Sequence, residues 1–352
     1  MNRRGCSRRA QLGLETIRAA RFARGMRLDS CPLSHDQPVD DSIYFHRSNM
    51  NRLIGIDIGG TQIKMGAFSP EGMMLGQWTR ETGDRPTTGA PAFAETVRQM
   101  LEETNGSDAT IGIAAPGVTA KDGRSIAYQP GKMHGIEGFD WGAFLNRDVP
   151  VLNDGHAALL GEVWQGAAQG AKDAILLTLG TGVGGAILSD GKLQKGTFGR
   201  AGHLGHTSVT ESAERSIFGT PGSLEAAIGN YTVPVRSNGR FSSTRELIEA
   251  HRAGDSEATL VWIKSVRVLA RAITSFINIL DPEIVILGGG ITRAGAYLFD
   301  PLDEFLEEFE WRPAGHRVRI VPAKLGEWAG AYGTAWNARQ LQGTDERAAQ
   351  GD

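Results

Sequence analysis

From Leu53 onward the chain alternates short apolar runs with glycine-rich breaks. LIGIDIGGTQIKMGAF reads as an apolar strand, a Gly-Gly turn and a second strand, because short apolar runs punctuated by glycine predict buried strands joined by tight turns. AILLTLGTGVGGAIL, beginning at Ala174, repeats the scheme. The two segments overlay with Asp57 on Thr178, Gly59 on Gly180 and Gly60 on Thr181, which predicts an internal duplication with one hairpin opening each of two α/β lobes. Between them the pattern predicts a helix over 91–104, strands over 111–118 and 149–154, and a helix through HAALLGEVWQGAA. Further on, Ile263, Val266, Ala270, Ile273, Ile277 and Leu280 recur at helical spacing, with Phe276 widening the stripe, so 257–280 reads as one long helix. Asp281-Pro282 ends it. EIVILGGGI reads as a buried strand broken by glycines, and AGAYGTAWNARQLQ as a last helix before a polar end.

Composition narrows this little. A chain of 352 residues exceeds one ordinary core and suggests two domains. No apolar run reaches the roughly eighteen residues of a membrane span. A net charge of -3 gives no reason to expect nucleic acid. Both cysteines, Cys6 and Cys31, precede the body, so the body has neither a disulfide framework nor a cysteine-built zinc site. That fits a cytoplasmic protein. Residues 1–50 carry Arg3, Arg4, Arg8, Arg9, Arg18, Arg21, Arg24 and Arg27 without a signal-like apolar segment. An organelle transit peptide and a DNA-binding arm are weighed against a disordered extension, or a start assigned too early ahead of Met50; the last pair is favoured.

The glycine turns carry candidate chemistry. GTGVGG at 180–185 fits G-x-G-x-x-G, but a dinucleotide site needs a helix next, and AILSDGKL reads as a strand and turn. Turns between strands instead point backbone N–H groups outward and form anion-binding concavities. Two matched turns, with the GGG loop at Gly288, Gly289 and Gly290, suit a polyphosphate. Asp57, at the end of the first strand, suits a Mg²⁺ riding on it through water. Thr61 and Lys64 stand close by.

DIGGTQIK, GIAAPGV, VLNDGHAALLGE, LTLGTGVGGAIL, AGHLGH, GTPGSLE and VILGGGI occur in the order seen in the ROK family, and over 53–339 the chain resembles its sugar kinases and related sugar-sensing repressors. The resemblance implies a two-lobed α/β architecture, the actin-like ATPase (ribonuclease H-like) fold, with duplicated domains around a nucleotide/sugar cleft: 51–172 the first lobe, 173–326 the second, 327–342 a helix packing back on the first, and 343–352 a tail. It implies ATP and Mg²⁺ as cofactors, a small-molecule sugar as substrate, and a homodimer. It makes Asp154 the catalytic base beside Asn153. It places Asn153, Gly117, His203, His206 and Glu225 at the sugar, and Gly59, Gly60, Thr61, Lys64, Gly180, Thr181, Gly182 and the three glycines at 288–290 at the nucleotide.

The sequence also departs from the family. Where A-G-Glu-x-G-His is usual, Ala201-Gly202-His203-Leu204-Gly205-His206 replaces the glutamate by His203. The zinc motif that follows has Ser216, Phe218 and Ser223 at its cysteine positions, so no zinc is expected. A carboxylate only accepts hydrogen bonds, whereas a neutral imidazole accepts one and donates one, so the sugar preference should change. Lys132 and His134 lie in a segment, YQPGKMHGIEGFDW, that lacks the usual asparagine. Glucose, N-acetylhexosamines, other hexoses and cyclitols stay open. An ATP-dependent sugar kinase is the leading reading. A non-catalytic sugar sensor, a polyphosphate-dependent glucokinase and a generic actin-like ATPase are the alternatives.

Overall fold

A computed structural model of the chain describes residues 52–350 apart from 132 and 217. The expectations for residues 1–50 and for Lys132 therefore fall outside the described residues.

Two five-stranded sheets organise the described chain. The first runs β3 (Met74–Glu81), β2 (Gln62–Phe68), β1 (Leu53–Ile58), β4 (Thr110–Ala115), β7 (Val151–Asn153). The second runs β10 (Lys192–Leu193), β9 (Val183–Ser189), β8 (Ala174–Leu179), β11 (Ile284–Gly288), β12 (Arg319–Pro322). In each, the hairpin strands pair antiparallel and the first of them pairs parallel with a later strand. The two orders superpose strand for strand, as the repeated hairpin predicts. The loops differ by one residue: Ile58 pairs with Ile63, whereas Leu179 pairs with Val183. A small ribbon, β5 (Val118–Thr119) with β6 (Ile126–Tyr128), follows β4. The apolar run expected as one strand over 111–118 thus breaks at Pro116-Gly117, where Gly117 takes φ 110°.

Helices α1 (Ala92–Glu103) and α2 (Trp141–Leu145) belong to the first lobe. Helix α3 (Asp154–Gln165) leaves β7 directly, and the short α4 (Leu224–Ile228) and α5 (Val233–Arg236) precede α6 (Thr244–Arg252), α7 (Ser256–Leu280) and α8 (Ala296–Phe309). In α7 the fully buried Trp262 and Leu269 widen the expected stripe, while Ile263 and Leu280 are only partly buried. The stripe is turned toward the 262–269–276 edge because α8 also packs on this helix, and Trp262 Nε1 donates to the Tyr297 carbonyl at 2.8 Å.

The last helix, α9 (Ala329–Gln350), returns to the first lobe and lies on β1, β4 and α3. It continues beyond 342, where a polar tail was expected, because Ala, Gln, Glu and Arg are good helix formers and polarity alone does not stop a helix. Its approach is close: a Cβ on Gly55 would fall 1.7 Å from the Ala331 carbonyl oxygen, and one on Gly333 1.7 Å from that of Ala157. Strand alternation puts Leu53, Gly55 and Asp57 on one face of β1, toward α9, and the buried Ile54, Ile56 and Ile58 on the other, in the first-lobe core. A separate apolar cluster joins the lobes: Ala157 and Leu160 of α3 meet Leu176, Ala186 and Ile286 of the second sheet.

Candidate active site

Asn153 ends β7 and caps α3; Asp154 is the first helical residue, not the end of the strand as expected. The β-region backbone of Asn153 suits an N-cap, and its Oδ1 accepts from Gly155 N–H at 2.9 Å and His156 N–H at 3.2 Å. Its Nδ2 donates to the Gly117 carbonyl at 2.9 Å and to Asp154 Oδ1 at 2.8 Å. Both ends of this buried amide are thus engaged by protein, and so is the Gly117 carbonyl. Asn153 and Gly117 hold Asp154 in place; a direct sugar contact by either stays a proposal. Asp154 Oδ1 also accepts from Gly155 N–H at 2.8 Å, and Asp154's own backbone N–H is a further donor to the carboxylate. The carboxylate opens to the cleft, and the loss of solvent on its protein side raises its pKa against the pull of these donors.

Asp57 senses Asp154. Burial, then the charge of Asp154, push the Asp57 carboxyl up to about 7, with Lys64 opposing. Asp57 has no hydrogen-bond partner among the described residues and sits against the start of α9, where a Cβ on Gly330 would fall 2.5 Å from its Oδ2. Lys64 is ion-paired with Glu327 at 3.1 Å, so its ammonium is already committed to the approach to α9. Gly59, Gly60 and Thr61 form the turn after β1, closed by Gly59 N–H to the Gln62 carbonyl at 2.9 Å and by Thr82 Oγ1 to the Gly59 carbonyl at 2.6 Å.

The second turn, Gly180, Thr181 and Gly182, is held from behind. Glu225, nearly fully buried, accepts from Val183 N–H at 3.0 Å, and a Cβ on Gly182 would fall 2.1 Å from its Oε2. The structure therefore engages Glu225 with this turn, a task sequence reading did not assign to it. Gly180, Thr181 and Gly290 line a cavity of about 500 Å³ together with Ile248, Glu249 and Arg252. Gly289, at φ 86°, lies against the Leu179 carbonyl, and Gly288 is a buried strand residue; neither lines this cavity. Ile248, Glu249 and Arg252 gave no sequence signal: the latter two read as a solvated helical face, and the buried Ile248 as core.

The GHLGH loop holds three imidazoles in a row, and His156 is the member that sequence reading missed. His156 is fully buried, its Nε2 lies 3.0 Å from the Ala201 carbonyl, and its ring centroid is 5.9 Å from that of His203. Burial lowers its pKa to about 4. His203 stacks on His206 at 6.3 Å, and burial, then His206, lower its pKa. One nitrogen of His203 bonds the Gly199 carbonyl and Nε2 is buried without a partner, so Nε2 is left as a bare acceptor. The expected zinc positions have other work: Ser216 Oγ accepts from Thr220 N–H, Ser223 Oγ caps α4, and Phe218 meets His206 edge-on at 5.1 Å. Among the described residues no group of three His, Cys, Asp or Glu is placed to hold a metal ion. His134, well before this loop in sequence, is tied to Asp84 at 3.0 Å.

The arrangement offers an exposed carboxylate at a helix N-terminus, a second carboxylate near it, and two amide-rich turns. That set can take a proton from a hydroxyl while a phosphate chain is held close by. The model of the ROK family matches residues 53–341. The chain belongs to the ROK family. It is 32% identical over 307 residues to a glucokinase of Thermotoga maritima, covering 81% of this chain and 96% of that one. It is 28% identical to an N-acetylmannosamine kinase of Escherichia fergusonii, covering 80% and 96%. A ROK family glucokinase of Streptomyces griseus, solved with glucose and AMPPNP, shares the fold at a TM-score of 0.65 and 28% identity, covering 82% of this chain and 99% of that one. The ROK fold of this chain is thus the two-lobed actin-like architecture, and no helix among its described residues is long and apolar enough to cross a membrane.

Proposed function

We propose that this ROK protein is an ATP-dependent sugar kinase, with Asp154 as the base that takes the proton of the attacking hydroxyl. The class, a carbohydrate kinase and so a phosphotransferase, follows from the family and from the glucokinase and N-acetylmannosamine kinase relatives. The observation that carries the mechanism is the exposed Asp154 carboxylate, whose Oδ1 is fixed by Asn153 and Gly155. A base fixed at one oxygen presents the other in a defined direction, which is what proton acceptance during in-line transfer requires.

ATP as donor is supported by the AMPPNP complex of the Streptomyces griseus relative and by the cavity beside Gly180, Thr181 and Gly290. Mg²⁺ fits the residues present: Asp57 is an oxygen donor whose proton affinity is raised first by burial and then by the neighbouring Asp154 carboxylate, and a hard cation relieves that repulsion. When bound, Mg²⁺ neutralises charge on the transferred phosphoryl group. Asp57 would hold it, through water, and the turn of Gly59, Gly60 and Thr61 would direct amides at the phosphates. At the acceptor end, His203 and His206 face the sugar. A cytoplasmic location and a homodimer belong to the same reading.

The test is sugar-dependent ADP release from Mg-ATP across glucose, mannose, fructose, allose, N-acetylglucosamine, N-acetylmannosamine and inositols, with polyphosphate as a parallel donor. Turnover with any of them establishes the kinase and names its substrate class. Sugar binding without turnover from either donor overturns the proposal in favour of a sensor.

A further inference from the structure

Glu162 is fully buried, and the chemistry above does not use it. It lies on α3, about two helical turns beyond Asp154. Its carboxylate accepts from three backbone N–H groups: Ala167 to Oε2 at 2.7 Å, Leu325 to Oε1 at 2.8 Å, and Lys324 to both oxygens at 3.0 and 3.1 Å. These donors sit on two different segments. Residues 166–173 carry the chain from α3 of the first lobe to β8 of the second, and 323–328 carry it back from β12 to α9. Among the described residues these are the two crossings between the lobes, and one carboxylate binds both.

The fit around the carboxylate is tight. A Cβ on Gly166 would fall 2.1 Å from Glu162 Oε2, so the chain leaves α3 over the side chain with no room for any other residue there. Gly166 and Ala168 also donate their N–H groups to the Glu162 carbonyl, at 3.1 and 3.0 Å, which wraps the first crossing around this one residue. The second crossing is tied to the first sheet as well, through Glu327 and Lys64.

We propose that Glu162 is the pin of the hinge between the lobes, a positioning residue that holds both crossings at one point so that Asp154 meets the second-lobe phosphate turn in a fixed register as the cleft closes. Hydrogen bonds from amides to a buried carboxylate are charge-assisted and stronger than neutral ones, so losing either crossing's donors would leave buried carboxylate oxygens unsatisfied. A pin of this kind allows rotation about one point and resists sliding, which suits closure over a site that must exclude water. The catalytic consequence rests on the kinase reading above; the mechanical one does not.

The test uses the full chain and two variants. Glu162→Gln keeps the shape but turns an NH₂ toward backbone donors. Gly166→Ala keeps the charge but pushes the carboxylate aside. Hydrogen exchange by mass spectrometry reads peptides spanning 166–170 and 323–328, and steady-state kinetics read kcat and both KM values, normalised to folded protein. The expected result is exchange at both crossings faster by about ten-fold or more, with kcat down by about ten-fold and the KM for ATP within about two-fold. A residue that only stabilises the fold would lower Tm and leave kcat per folded molecule unchanged. Unchanged kcat and sugar KM in both variants, or faster exchange at one crossing alone, overturns the proposal. Should Glu162→Gln not fold, Gly166→Ala decides. Should the wild type phosphorylate no sugar, the kinase reading fails by itself and exchange decides the pin: faster at both crossings supports it, anything less removes it.

Discussion

Asp57 gives a prediction in which sign and size both come from the structure. Its carboxyl is held up at about 7 against an ordinary 3.8, by burial first and by the charge of Asp154 second. Between those values the folded chain keeps a proton that the unfolded chain has lost. Folding stability from this group is therefore fully present below about pH 4 and is lost progressively as pH rises toward 7. At about 1.4 kcal/mol per pH unit across that window, the ceiling is about 4 kcal/mol. Water reaches the half-buried side chain from the cleft, so about 2 kcal/mol is the expected size. Asp57→Asn removes the proton and the slope. In EDTA at pH 7.5 the variant should be more stable than wild type by about 2 kcal/mol, and at pH 4 the two should be equal. The comparison cancels the other groups, including the buried His156, because both proteins share them. Urea unfolding at half-unit pH steps measures it. A wild-type minus variant difference that is flat within about 0.5 kcal/mol from pH 4 to 7.5 refutes the assignment. The same proton should leave when Mg-ATP binds near pH 6.5, seen as a buffer-dependent heat in wild type and absent in the variant.

Four further outcomes are expected. Asp154→Asn should lower kcat by about 10²-fold or more with ATP binding retained, and near-normal turnover would remove Asp154 as the base. Asn153→Ala loses a helix cap and a donor to Asp154, so stability should fall by about 1 kcal/mol while kcat falls with the KM for ATP unchanged; an unaltered kcat would show that Asp154 needs no such support. Metal analysis of purified protein should find no stoichiometric zinc, and a full equivalent would defeat the reading of SIFGTPGSLE. His203→Glu should reorder the sugar panel more than it changes ATP affinity; an unchanged order would mean that His203 does not read the sugar.

The two hairpins were legible because everything that makes them is local: an apolar run, glycine where the chain turns, and a second apolar run. Helix α7 was legible to within a residue, since Asp255 caps it by accepting from Ala258 N–H at 2.8 Å and Pro282 follows its end. Asp154 was misplaced by one element boundary. Asn153 and Asp154 are both good capping residues, and only the pairing of Asn153 with Ala115 across to β4 shows which of them ends the strand. Glu225, expected at the sugar, also braces the second turn, a task hidden from the sequence because Val183, Gly182 and Glu225 meet only once the lobe has folded; its contact with a sugar stays a proposal. His156 stood inside a quoted motif, yet nothing in the sequence marks it as buried against the GHLGH loop.

Why should one hairpin of a matched pair carry a carboxylate and the other a hydroxyl? Asp57 and Thr178 hold equivalent places, each one residue short of the end of the first hairpin strand. Two carboxylates on opposite sides of a phosphate chain would repel both it and each other. One carboxylate, able to take a cation, supplies attraction without that cost. In the proposed kinase reading, the neutral partner lets the second lobe hold the phosphate by its backbone, while Glu225 braces that turn through Val183 N–H. The asymmetry also explains the small residue at 330. Asp57 shares its face of β1 with Gly55, the face on which α9 lies, and a methyl group at Gly330 would strike its carboxylate. The charge that distinguishes the first lobe thus constrains a helix that the chain adds only after the second lobe is complete.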